Sequence, residues 1–288
     1  MQSYESLKEI SRAFTEKTLH GKAMTFSVLT ANESASRSVV LVHGVTGNKF
    51  DMVVVGREYA RKGYAVYIPD LPSHGSAPAM EINGFMDLSN WLAAFMRTIK
   101  RTPDVLLGDS FGAAVCYHFA QTGLIAPTTR LVLACPTPKI ATLSRALREA
   151  SGLLPETWVA RPYNASWAIQ FRTKYLLMGQ APEARGWLEE SERMKKAFLN
   201  VKMANAVSVL LRTDNPYDGI GLPHDLQRRT TVVVGAKDNV ITKDSLSLLR
   251  ELLPASQFVV VPNVGHILHF EAYEQLAEVA ADAVDKVA

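Results

Sequence analysis

Apolar residues in this chain follow two rhythms. Short unbroken runs, bounded by glycine, proline or polar turns, occur at 38–42 (Ser38-Val39-Val40-Leu41-Val42), 64–69, 104–108, 130–135, Thr231-Val232-Val233-Val234 and Phe258-Val259-Val260-Val261. Between the early runs, near 51–62, 84–100 and 111–121, apolar residues recur every three or four positions. An unbroken run reads as a strand covered on both faces, and the longer period as a helix with one buried stripe. Strands alternating with such helices predict βαβ units around a mostly parallel sheet. The chain begins differently. Leu7, Ile10 and Phe14 predict an amphipathic helix within 5–18, and Lys17-Thr18-Leu19, a His20-Gly21 turn and the run 24–29 predict a hairpin. From Pro136 to Leu226 the strand pattern lapses. Helical segments are predicted near 139–150, 165–178, 182–198 and 200–212, broken by Pro155, Pro162, Pro182 and Pro216. Alternation resumes at Thr230 and closes with a helix over 271–286. The pattern therefore divides the chain into a core, 1–135 with 227–288, and a helical cap, 136–226, inserted after the sixth strand over the carboxyl edge where open α/β sheets bind ligands.

One turn carries candidate chemistry. Val105-Leu106-Leu107 runs into Gly108-Asp109-Ser110-Phe111-Gly112, followed by the small-residue helical stretch Ala113-Ala114-Val115-Cys116. A G-x-S-x-G between strand and helix is the setting of a nucleophile elbow, in which the serine hydroxyl stands above the sheet edge. A serine needs a base, an acid and oxyanion donors. The loop His43-Gly44-Val45-Thr46-Gly47 follows an early strand, so the amides of Val45 and Phe111 are the candidate oxyanion donors. Asp238, after the run ending in Val234 and Gly235, is the candidate acid. His266, after Val264-Gly265, is the candidate base. Asp238 is preferred to Asp214, Asp218 and Asp225 at the cap exit and to Asp244 at a helix start, and His266 to His269. Ala134-Cys135-Pro136 offers no carboxylate for an acid placed before the cap. His43 and His74 read as loop-shaping, and His118 as structural. Trp158, Tyr163, Trp167, Phe171, Tyr175 and Trp187 form either an acyl pocket or the cap's own core.

These motifs, in the order Ser, Asp, His, make the chain resemble the α/β-hydrolase superfamily over nearly its whole length. Ile68-Pro69-Asp70-Leu71-Pro72-Ser73-His74-Gly75-Ser76 resembles the family's D-x-P-G-H-G-x-S loop, with Ser73 where a glycine is usual, and Glu271 follows Gly265-His266 as in the family. The loop 43–48 is similar to the H-G-F-T-G-x loop of bacterial carboxylesterases and monoacylglycerol lipases. It lacks the glycine-rich loops of carbon–carbon bond hydrolases and proline iminopeptidases. The resemblance implies a cofactor-free serine hydrolase cleaving a small or medium acyl ester or a lactone. A thioesterase or acyltransferase using the same three residues, a carbon–carbon hydrolase and a small-molecule receptor on the same scaffold are the alternatives. A serine at the elbow argues against haloalkane dehalogenases and epoxide hydrolases, which attack with aspartate.

Composition narrows the partners. The chain has 288 residues, 48% hydrophobic and 20% charged, enough for one large core. Its formal net charge is +3, with the basic residues dispersed, so nucleic acid is not an expected partner. No apolar run approaches the roughly eighteen residues of a membrane span, and residues 1–7 show no basic-then-apolar leader. The expectation is a cytoplasmic enzyme of small apolar esters, without stable membrane insertion. Its two cysteines, Cys116 and Cys135, are expected to be buried and reduced. No metal-ligand spacing, phosphate-binding loop or dinucleotide fingerprint is evident in the sequence.

Overall fold

The computed structural model describes residues 4–139, 165–179, 181–195 and 209–281. Among them, strands β1 (Thr15–His20), β2 (Thr25–Ala31), β3 (Ser38–Val42), β4 (Ala65–Pro69), β5 (Val105–Asp109), β6 (Arg130–Ala134), β7 (Thr230–Gly235) and β8 (Gln257–Val261) form one sheet. Its order is β1-β2-β4-β3-β5-β6-β7-β8. The β1–β2 and β2–β4 pairs are antiparallel, and all later neighbours are parallel. This is the helix-flanked, mostly parallel sheet that the alternation predicts.

The central runs are unbroken because both faces of the sheet are covered. Along β3, Val39 and Leu41 enter the core on one side and Val40 and Val42 enter it on the other. β4 divides in the same way, with Val66 and Ile68 against Ala65 and Tyr67. The flanking helices include α1 (Leu7–Ser11), α2 (Val53–Arg61), α3 (Phe85–Ile99) and α4 (Phe111–Gln121). α3 and α4 close one side through Phe95, Val115 and Phe119. α1, α2 and the helix Tyr273–Ala281 close the other through Leu7, Tyr59 and Leu276. Each such side chain stabilises the fold by about 1.5–3 kcal/mol relative to exposure.

Several boundaries differ from the sequence pattern. The N-terminal helix covers only Leu7–Ser11, started by a capping box between Ser6 and Glu9. From Thr15 the chain pairs with β2 instead, because sheet pairing outweighs the weak helix propensity of Thr15 and Thr18. Phe14 stays buried by packing on Gly56 rather than as a helix position. The helix near 51–62 opens as a 3-10 turn, Lys49–Met52. The closing helix breaks at Ala272 into Leu268–Glu271 and Tyr273–Ala281, and 282–286 lies outside the described residues.

Between β6 and β7 the described residues contain the helices Ser166–Leu176 and Pro182–Lys195, with a further helical stretch at 209–213. The helix expected at 139–150 and residues 196–208 of the later ones lie outside the described residues, apart from Lys139. Pro182–Lys195 is docked on the core. Ala184, Trp187 and Leu188 join the cluster on the α2 side. Glu190 accepts the Leu7 and Lys8 amides at 2.8 and 3.1 Å, and Trp187 Nε1 donates to the Glu5 carbonyl at 2.7 Å.

A buried ion pair ties the hairpin to the sheet. Lys49 Nζ lies 2.7 Å from Asp70 Oδ2, with the two side chains 1% and 0% exposed, and 2.9 Å from Glu16 Oε1 on β1. Removing one member of a buried pair strands the other charge in a poorly polarisable interior. Lys49→Ala is expected to lower unfolding free energy in urea by about 3–5 kcal/mol. The double variant Lys49→Met, Asp70→Asn should recover a substantial part of that loss. A loss below about 1 kcal/mol in the single variant would mean the pair is not the tie described.

Candidate active site

The Gly108–Gly112 turn joins β5 directly to α4. Ser110 sits at φ 52 and ψ −109, left-handed backbone that costs a non-glycine residue about 1–3 kcal/mol. The flanking glycines are required by contact. A Cβ on Gly108 would lie 2.3 Å from the Gly112 carbonyl oxygen, and one on Gly112 would lie 2.3 Å from the Val42 oxygen. The strained serine is pinned to β6, its amide donating to the Ala134 carbonyl at 2.8 Å.

The turns after β7 and β8 reach the same height. Asp238 Oδ1 accepts the amides of Val240 and Ile241 at 2.7 and 3.0 Å, which fixes the carboxylate. Its Oδ2 lies 2.8 Å from His266 Nδ1, and His266 Nε2 lies 3.0 Å from Ser110 Oγ. Burial raises the Asp238 carboxyl, but the His266 ring beside it and the two turn amides outweigh that, leaving it lowered overall. The structure thus brings together Ser110, Asp238 and His266. The competing acids lie elsewhere. Asp214 accepts the Phe85 amide at the start of α3, Asp218 closes a turn with Asn215, Asp225 pairs with Arg228, and Asp244 occupies the first turn of the helix Lys243–Leu252.

The loop after β3 backs onto the serine, since a Cβ on Gly44 would lie 3.4 Å from Ser110 Cβ. Val45 occupies the turn closed by the Gly47 amide on the Gly44 carbonyl at 3.2 Å. Phe111 is the first residue of α4, so its amide has no acceptor within that helix. His43 shapes the loop. The Leu71 amide donates to its Nε2 at 3.0 Å, so its ring proton sits on Nδ1 and donates to the Gly44 carbonyl at 2.8 Å. Ser73, in the place of the expected glycine, takes φ 61. The loop therefore keeps the left-handed turn that a glycine would adopt without strain. His118 bonds Ser89 at 2.7 Å.

Four further groups shape this edge: Asp51, not singled out from the sequence, and Glu271, Tyr175 and His269, whose contacts were not foreseen from it. Asp51 accepts the Ser191 hydroxyl at 2.5 Å and the Asn48 amide at 3.3 Å, so it links helix Pro182–Lys195 to the loop of Val45. Asn48-x-x-Asp51 is a capping-box pattern, a signal the sequence did carry. Glu271 accepts the amides of Gly265 (2.8 Å), Met178 (2.9 Å) and Gly179. Tyr175 donates to the Asn239 carbonyl at 2.9 Å, and the Asn239 side chain returns a bond to the Tyr175 carbonyl at 3.2 Å. His269 Nδ1 stands 3.1 Å from Oδ2 of Asp109, the residue before Ser110. Of the aromatic set, Trp187 is buried on Phe270 and Tyr273. Trp167 and Phe171 are 68% and 63% exposed, while Trp158 and Tyr163 lie outside the described residues. Both cysteines are buried and free.

Comparison with known proteins agrees with this architecture. The model of the alpha/beta hydrolase family matches residues 39–279. Lipase 1 of Psychrobacter immobilis is 23% identical over 253 residues, spanning 85% of this chain and 75% of the relative. An esterase from Exiguobacterium antarcticum superposes with a TM-score of 0.76 at 16% identity, covering 94% of this chain and 100% of its own. A bacterial membrane phospholipase A superposes with a TM-score of 0.75 at 17% identity, covering 98% and 88%. Among the described residues no helix is long and apolar enough to cross a membrane.

The loop after β4 generates a pH dependence. His74 is 5% exposed. Burial, with the His43 ring beside it, pushes its imidazole from 6.5 down to about 4, against the opposing pull of the Pro72 carbonyl and Asp70. Between those values the unfolded chain takes up a proton that the folded chain refuses. The stabilisation is therefore present above about 6.5 and lost as pH falls towards 4, by roughly 3 kcal/mol from this group. Urea unfolding of wild type across that range should show the decline, and His74→Asn should flatten it. Superimposable curves for the two proteins would refute the assignment.

Proposed function

The chain belongs to the alpha/beta hydrolase family, and on that premise we propose that it hydrolyses carboxylic esters through an acyl-enzyme on Ser110. The observation that carries this reading is the continuous line from Ser110 Oγ to His266 Nε2 (3.0 Å) and from His266 Nδ1 to Asp238 Oδ2 (2.8 Å). His266 Nε2 accepts the Ser110 proton as Oγ attacks the ester carbonyl carbon. Asp238 holds the Nδ1–H tautomer and stabilises the imidazolium. The amides of Val45 and Phe111 receive the oxyanion, each contributing about 3–4 kcal/mol to the transition state. His266 then protonates the departing alcohol, and water, deprotonated by the same nitrogen, releases the acid and restores Ser110. These groups balance protons and charge among themselves.

The substrate proposed is a small or medium acyl ester or a lactone, admitted beneath a helical cap formed by residues 136–226. A second reading has a specific observation behind it. Trp167 and Phe171 lie exposed on the helix Ser166–Leu176, with Phe171 stacked on Tyr175, and relatives include a lipase. An exposed aromatic face on a helix between β6 and β7 favours lipid esters presented at an interface.

Two experiments test the proposal. Ser110→Ala should abolish turnover of p-nitrophenyl esters and labelling by a fluorophosphonate, and Asp238→Asn should lower kcat by about four orders of magnitude. Labelling at another serine, or near wild-type activity in either variant, would overturn the assignment. A chain-length series, with thioesters and lactones included, should peak at short or medium acyl groups, with no surge in rate when the substrate passes its solubility limit. A preference for emulsified long-chain triglycerides would select the lipid reading.

A further inference from the structure

Strands β6 and β7 are parallel neighbours, with Ala134 opposite Val233, so the residues following each meet at the carboxyl edge. After β6 the chain turns through Cys135 at φ 45, anchored by its amide on the Val233 carbonyl at 2.8 Å. That turn sets a fully buried thiol beside the Asp238 carboxylate, in the place where the sequence offered no acid. A sulfur of Cys135, a carboxylate oxygen of Asp238 and a ring nitrogen of His266 lie within 4.8 Å of one another. The mechanism proposed above uses two of these residues and leaves the thiol without a task.

We infer that Cys135, Asp238 and His266 form an inhibitory binding site for a thiophilic divalent cation of the zinc class. The inference rests on the roles proposed for Asp238 and His266. One sulfur, one imidazole nitrogen and one carboxylate oxygen are a donor set suited to zinc, whereas magnesium and calcium prefer all-oxygen shells. In a tetrahedral zinc site the donors stand roughly 3–4 Å apart, given bond lengths of about 2.0–2.3 Å. The 2.8 Å contact between His266 Nδ1 and Asp238 Oδ2 must therefore open slightly and the sulfur approach. Both are adjustments of roughly a few tenths of an ångström to one ångström. A fourth ligand to complete the tetrahedron would be a water entering from the side of His266, which is 7% exposed.

The consequence for turnover follows from tautomerism. Nδ1 is the ring nitrogen that faces the carboxylate, so it is the atom the cation takes. Coordination needs its lone pair, so the ring proton moves by way of solvent from Nδ1 to Nε2. The thiol proton is released to bulk water, one proton per cation bound. Nε2 then carries hydrogen and points it at Ser110 Oγ, 3.0 Å away. A nitrogen bearing a proton and holding no free lone pair does not accept the serine proton. The cation thus stops the cycle at its first step without touching the serine.

The test uses the full chain, with zinc for inhibition and cobalt as a spectroscopic probe of thiolate ligation. Zinc is expected to inhibit ester hydrolysis by wild type, reversibly on adding chelator, while magnesium and calcium do not. Cys135→Ala, scored against its own metal-free rate, should need at least about tenfold more zinc for the same inhibition. Cobalt should give a thiolate-to-metal absorption band in wild type and in Ser110→Ala, and none in Cys135→Ala. Because Ser110→Ala reads binding without turnover, the metal site stands or falls independently of the esterase reading. Cys135→Ser provides the same comparison if the alanine variant does not fold. Equal zinc sensitivity in wild type and the Cys135 variant, or absence of the band in wild type, overturns the inference.

Discussion

The left-handed backbone of Ser110 is the constraint around which this edge of the molecule is organised. A non-glycine residue stays at φ 52 and ψ −109 only if its surroundings leave it no alternative. Here they do so from three directions. β5 is buried on both faces and paired with β3 and β6, so the turn cannot move down into the sheet. α4 starts at the next residue and packs on α3 and on the sheet, so the turn cannot relax upward. Gly108 and Gly112 close to distances that admit no side chain between helix and strand. The strain is small beside the burial energy of the layers that impose it. The serine hydroxyl is therefore presented at a fixed height, and the turns after β7 and β8 need only reach that height.

Around this point the protein buries a number of charges, and partner placement decides whether each is tolerable. Asp70 is met by Lys49 and Asp238 by His266, whereas Asp109 has the His269 ring 3.1 Å away but no hydrogen bond to it. Asp51 is met by Ser191 and the Asn48 amide. Burial alone would raise the Asp51 carboxyl, yet Lys195, His269, Ser191 and His43 together hold it below the usual carboxylate range. Glu271 behaves in the opposite way. Burial raises it, and the three amides it accepts offset that only in part. The carboxylates at this edge thus do not respond to their surroundings uniformly. Asp51 and Asp238 are held as anions, while Glu271 lies nearer to accepting a proton.

Much of the fold was legible because burial on two faces writes itself into sequence as unbroken apolar runs. β3, β5 and β7 are of this kind and fell within a residue of their predicted limits. β1 was legible only as one arm of a hairpin. Its side chains are exposed or half-buried, and its place in the sheet is set by β2 rather than by its own pattern. Ser110, Asp238 and His266 were legible because each follows such a strand at the carboxyl edge. Cys135 was passed over for the same reason that it is informative. It stands in a turn where a carboxylate was sought, and its neighbour Asp238 belongs to another strand. The links Asp51 to Ser191 and Glu271 to Met178 join residues far apart in the chain, and one sequence contains no trace of such pairings.

The stretch Tyr175–Gly179 ties a helix lying between β6 and β7 to both the Asp238 turn and the His266 loop. Tyr175 bonds Asn239, the Leu176 carbonyl accepts the His266 amide at 3.1 Å, and Glu271 gathers Met178, Gly179 and Gly265. A molecule that presses against that helix is mechanically connected to the alignment of the imidazole. On the mechanism proposed above, binding energy gathered far from the scissile bond then has a route to Ser110 and His266. Discrimination between related ligands would on this account be written in how fast they react once bound, more than in how tightly they are held.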